Sequence, residues 1–149
     1  MKTIIAIIAL ALLFAPGAAG ATEIRGKAVF DQVNAVRTQN GRKALVPESR
    51  LVKAAQMKAD DMAKEGYFAH RSPKGKWVLT WINAVKYPYR TAGENLAEKW
   101  PDTETLVTAW INSPTHKANI LENGYTDTGI GIAQGKNGII IVQMFGQKR

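Results

Sequence analysis

The chain has 149 residues, 46% of them hydrophobic and 21% charged, which is the balance of one globular domain and excludes both a disordered chain and a two-lobed cofactor enzyme. Cysteine is absent and there are two histidines, so a disulfide framework, a thiolate metal site, a cysteine nucleophile and a three-histidine metal site are excluded. The net charge of +8 is dispersed, with Arg42-Lys43 the longest basic run. That pattern describes a solvated surface, or weak attraction to anionic envelope polymers, rather than a nucleic-acid interface.

Residues 1–21 read as an export signal. Lys2 supplies the positive start, Ile4 to Ala15 form an apolar run, Pro16-Gly17 break it, and Ala19-Gly20-Ala21 offer small residues for cleavage. The run is too short to span a bilayer comfortably. The expected mature domain is 22–149, secreted to the periplasm or the medium, with no transmembrane helix and acting as a monomer. A domain of that size without disulfides has to be held by its core.

Lys27–Gln39 has Ala28, Val29, Val33 and Val36 at helical spacing and stops at Asn40-Gly41. A loop is expected through Pro47. Ser49–Lys64 is the clearest helix, capped by Ser49 or Glu48 and ended by Gly66. Tyr67–Lys76 is irregular, and Trp77–Val85 predicts a short helix. AGENLAE opens a strand. Asp102 can cap a helix running through Asn112, and Ser113-Pro114 opens another that ends at Leu121. TGIGIA, Lys136-Asn137-Gly138 and IIIVQMFG read as a hairpin. Its glycines Gly129 and Gly131 share one strand face, where a neighbouring element can come close. Its last strand is apolar on both faces. These helices with about three strands predict an α/β fold, a three-layer α/β/α sandwich around a central, mainly antiparallel sheet.

Four polar residues stand out. His70 lies in a loop rich in Ser, Pro and Gly. His116 sits in the first turn of a helix, where the helix dipole favours the neutral imidazole that accepts a proton or binds a metal. Glu94 and Gln143 interrupt strands that are otherwise apolar, and a polar side chain there needs a partner or a cleft. A satisfied internal network and a functional cleft both remain open from these residues alone. The G-x-S-x-G, H-E-x-x-H, phosphate-loop and EF-hand patterns are absent.

The blocks YFAHRSPKG, AGENLA, AWINSPTHKANIL, TGIGIA and IVQMFG, following the helix around AVRTQNGRKALVPESRLVKAAQMKADDMA, resemble the CAP superfamily in its bacterial, cysteine-free branch. The superfamily comprises cysteine-rich secretory, antigen-five and pathogenesis-related-one proteins, also called SCP-like. The likeness runs from about Val29 to Gly146. It implies the α/β/α sandwich and a cleft in which His70, Glu94 and His116 match two histidines and one glutamate of the family's cluster. The second glutamate of eukaryotic members falls on Ser113. The S-P-G-H-R block is also altered, with Thr115 and Lys117.

Proteolysis, lipid or sterol binding, divalent-metal binding and signalling have been attached to different members, so the fold does not choose among them. The resulting expectation is a non-enzymatic module that binds an envelope or extracellular ligand (lipid, polymer or protein) in a cleft of His70, Glu94, His116 and Gln143. The alternative is a zinc-dependent hydrolase with a divalent metal on His70 and His116, assisted by Glu94.

Overall fold

A computed structural model describes residues 24–149, so the expected export signal at 1–21 lies outside the described residues. In chain order the elements are α1 (Gly26–Gln39), β1 (Val46–Pro47), α2 (Ser49–Glu65), α3 (Val78–Ala84), β2 (Tyr89–Glu98), α4 (Thr103–Asn112), α5 (Pro114–Leu121), β3 (Asp127–Gly135) and β4 (Gly138–Lys148). The strands form one sheet in the order β1-β3-β4-β2. Strand β4 is antiparallel to both neighbours, and β1 pairs in parallel with β3. The sheet thus has one strand more than the pattern predicted. Two residues followed by a helix cap carry no alternation, and β1 exists because Val46 and Glu48 donate their amides to Thr126 and Thr128 of the neighbouring segment.

The two-faced β4 explains the layers. Ile140, Val142 and Met144 pack with Leu51, Ala54, Ala55, Ala59 and Met62 of α2 and with Trp81 and Ile82 of α3. On the other face, Ile141 and Phe145 pack with Val29 and Val33 of α1, Leu106, Val107 and Trp110 of α4, and Ile120 of α5. The result is the expected three-layer sandwich. Gly129 and Gly131 face α2, and a Cβ on either would run into its backbone at Leu51–Val52 or Ala55–Gln56. Their bare surface is what seats the longest helix on the sheet.

Two side-chain devices secure the layer of α1, α4 and α5. Arg37 is fully buried; its guanidinium donates to the carbonyls of Lys43, Ile120 and Glu122 at 2.6–3.0 Å and more distantly to that of Tyr125. It ties the end of α1 to the segment after α5. At the sheet's outer edge, Trp110 Nε1 donates to the Leu96 carbonyl (3.0 Å) and Asn119 Nδ2 to the Glu94 carbonyl (3.1 Å). No helix among the described residues is long and apolar enough to cross a membrane.

Candidate functional site

The site gathers at edge strand β2, and the Gly93-Glu94-Asn95 triplet builds it by alternation. Glu94 pairs across the ladder with Met144 and faces the α2 side; Gly93 and Asn95 pair with Phe145 and Gln143 and face the α5 side. Gly93 leaves room for Tyr125, whose hydroxyl group occupies the place of a Cβ. Asn95 donates to the His116 carbonyl (3.2 Å) and accepts from Asn119 (2.9 Å), locking α5 to the strand. Glu94, only 5% exposed, receives His70 Nδ1 on Oε1 at 2.7 Å. Its Oε2 is buried and has no hydrogen-bond partner.

His70 belongs to a loop that α2 pins down. Gly66 ends α2 in the left-handed conformation (φ 70°) and turns the chain back. Lys58 Nζ then donates to the carbonyls of Ala69 (2.8 Å) and His70 (3.0 Å). Asp61 takes Lys76 and the Tyr67 hydroxyl, and Glu65 takes Lys74. A turn at Ser72–Gly75 is closed by the Ser72 amide on the Lys76 carbonyl, and the Ser72 hydroxyl accepts the Lys76 amide. The loop looks irregular in sequence and is nevertheless tightly held.

His116 arrives from the layer on the other face and approaches at the same edge. Its Nδ1 pairs with Ser113 Oγ at 2.9 Å, and its ring lies 6.2 Å from that of Trp110. Ser113 is the residue before α5, as expected, but its hydroxyl caps no backbone amide and serves the imidazole instead. The two histidines consequently titrate in opposite directions. The Glu94 carboxylate raises His70 above the ordinary imidazole value, while burial, followed by the charge of His70, lowers His116. The asymmetry follows from the partners: His70 lies against a carboxylate, whereas His116 pairs with the neutral Ser113 hydroxyl.

The sequence-predicted residues therefore divide. His70 and Glu94 are in direct contact, and His116 senses the charge of His70 across the strand edge. Gln143 is fully buried and donates to Thr128 Oγ1 at 3.3 Å, but its Oε1 has no partner. The register places it beside Asn95, behind the strand from Glu94, and not in a cleft wall shared with that carboxylate. A one-residue step along a strand reverses its face, and sequence alone did not say whether Glu94 or Asn95 opposes Gln143.

Lys58 is the residue that sequence reasoning missed. It is fully buried at the position continuing the Leu51, Ala54, Ala55, Ala59, Met62 stripe of α2, and burial lowers its pKa against the pull of Glu94 and Asp61. A lysine interrupting an apolar helical stripe was the available signal.

Beside the pair opens a cleft of about 560 Å³ lined by His70, Arg71, Trp77, Val78 and Glu94. Trp77 is 52% exposed there. Among the described residues, no group of three or more His, Cys, Asp or Glu side chains is assembled to hold a metal ion.

With this sandwich and this edge site in view, the family is settled by comparison: residues 30–145 match the family described as CAP, the cysteine-rich secretory protein family, and the chain belongs to it. It is 36% identical over 131 residues to the uncharacterized protein YkwD of Bacillus subtilis (strain 168), a match covering 88% of this chain and 49% of that one. The chain thus spans about half the length of that relative. Among solved structures it is similar to an extracellular protein containing an SCP domain from Bacillus anthracis, with TM-score 0.75 and 26% identity over 83% of this chain and 40% of that one. It also shares the fold of an outer surface protein from Borrelia burgdorferi, with TM-score 0.77 and 22% identity over 83% of this chain and 92% of that one.

Proposed function

We propose that the chain is an exported, non-enzymatic binding domain whose ligand seats in the cleft beside His70 and Glu94. The observation that carries this reading is the state of the polar groups around the cleft. Glu94 gives one oxygen to His70 and buries the other away from any nucleophile, the Ser72 hydroxyl accepts the Lys76 amide, and the Ser113 hydroxyl pairs with the His116 imidazole. A hydrolytic site needs a nucleophile or water beside a free base, and these groups are arranged to hold a shape. The extracellular and surface placement of similar proteins supports export.

The test is co-sedimentation of the protein with bacterial envelope fractions, alongside its Trp77→Ala and His70→Ala variants. The expected result is that the parent pellets with the envelope, the variants stay in solution, and the bound material is recovered chemically unchanged. Turnover of that material, or equal pelleting by all three proteins, would overturn the reading.

Divalent-metal binding is a narrower form of the same proposal. Each histidine places Nδ1 on an orienting partner, Glu94 or Ser113, which leaves Nε2 for a ligand, the usual arrangement of a metal-bound imidazole. Glu94 would then orient a ligand rather than be one, and two protein donors hold zinc less firmly than the usual three or four. His70 must also lose a proton that Glu94 helps it keep. Calorimetric titration with zinc is expected to show weak binding near neutral pH, absent from His116→Ala and lost on acidification. Unchanged heat in His116→Ala would remove the metal from the proposal.

A further inference from the structure

The cleft wall has a definite chemistry. Trp77 presents a half-exposed indole at the start of α3, and Val78 continues that apolar patch. A flat aromatic face at a wet cleft matches a ligand that is apolar on one side and polar at its rim. The loop's other cations are engaged, Lys74 with Glu65 and Lys76 with Asp61. Arg71, exposed and lining the cleft, makes no ion pair among the described residues. Its planar fork suits a carboxylate or phosphate. The Glu94 carboxylate, more than nine-tenths buried, lines the same cleft and has one oxygen without a donor. An acceptor left unmet at that depth calls for a hydroxyl or amine on the ligand.

From these three features we infer that the ligand is an acidic saccharide: a sugar ring stacked on Trp77, its carboxylate or phosphate on Arg71, its hydroxyls facing Glu94 and His70. The inference rests on the binding reading above and names its ligand class. The cleft volume of about 560 Å³ falls within the roughly 300–1,000 Å³ of small-ligand sites. A fatty acid would cover Trp77 and Val78 and bring a carboxylate to Arg71, but would offer Glu94 no donor.

The experiment is an NMR titration of the labelled protein, following the Trp77 indole N–H, assigned through Trp77→Phe, and the His70 ring. The probes are a galacturonic acid trimer, its methyl ester, glucose 6-phosphate, a neutral galactose trimer, adenosine monophosphate and phosphatidylglycerol vesicles. The acid trimer or the sugar phosphate, whichever anion the site prefers, is expected to shift both signals and to bind at least about tenfold more tightly than the ester and neutral trimer, a difference of about 1.4 kcal/mol. Arg71→Gln should abolish that preference, and Trp77→Ala should abolish binding while leaving the rest of the spectrum folded.

No Trp77 shift with either acidic sugar overturns the inference. So does equal binding of ester and acid, or tighter binding of the nucleotide or the vesicles. Envelope pelleting that depends on Trp77 but is not competed by acidic sugars would sink the ligand class and leave the binding reading standing. Loss of pelleting altogether would sink both.

Discussion

The His70–Glu94 contact is a pH-dependent stabiliser whose sign can be worked out. The groups facing His70 are Glu94 on β2, Lys58 on α2 and His116 on α5. Its folded pKa is raised, so the stabilisation is complete below the unfolded value of about 6.5 and fades as pH climbs through the folded value. His116 behaves oppositely: with its folded pKa lowered, it favours the fold above about 6.5 and opposes it as acid charges the ring. Proton NMR titration should resolve the two rings on either side of about 6.5, and Glu94→Gln should bring His70 down toward His116. Coincident titration curves in the parent would contradict the assigned contacts. Lys58 acts on the same residue through the backbone. Replacing it with Met leaves the Ala69 and His70 carbonyls without their charged donor, a bond class worth about 1.5–3 kcal/mol. Urea denaturation is expected to show a loss of about 2 kcal/mol, with faster hydrogen exchange concentrated in residues 66–77. A uniform exchange increase would mean that Lys58 serves the core and not the loop.

At the scale of elements, three glycines grade the tightness of packing. Gly131→Ala drives a methyl group into the α2 backbone, which cannot step aside without lifting the helix; overpacking of this kind costs about 1–3 kcal/mol or more, and the upper end is expected. Gly93→Ala meets the phenol end of Tyr125, a side chain that can rotate, so a smaller loss is expected; Gly26→Ala meets Ile130 at an ordinary 3.6 Å and should be nearly silent. Chemical unfolding of the three variants gives the order, and Gly26→Ala matching Gly131→Ala would show that packing against α2 is not the cause. The close approach at Gly129 and Gly131 was legible because two bare residues on one strand face have few other uses. Helix limits were legible too: Asp102 accepts the Thr105 amide at 2.8 Å and Pro114 opens α5 where the sequence placed them. What stayed hidden depended on register. Neither the parallel β1 nor the side of the sheet taken by Gln143 is encoded in local alternation, because each is decided by which residue lies opposite. His70 and Glu94 could be brought together only through the family resemblance, since nothing in their spacing shows that a loop from α2 reaches strand β2.

Considered as a whole molecule, the chain finishes its sheet very differently at the two ends. At one end β1 is two residues long and Val46 is exposed. At the other, β2 runs for ten residues, long enough to template another strand. The carbonyls of Glu94 and Leu96 that would receive it are already taken by Asn119 and Trp110. Uncovered edges of that length invite pairing between molecules. Asn119→Ala combined with Trp110→Phe keeps most of the buried area but frees both acceptors, so light scattering is expected to reveal more self-association than in the parent. A double variant that scatters no more than the parent would show that some other feature guards the edge. The helices packed across that edge therefore do more than complete a core. An extended chain arriving at this edge would meet side chains in place of open carbonyls at Glu94 and Leu96, so that the sheet offers it little backbone to read.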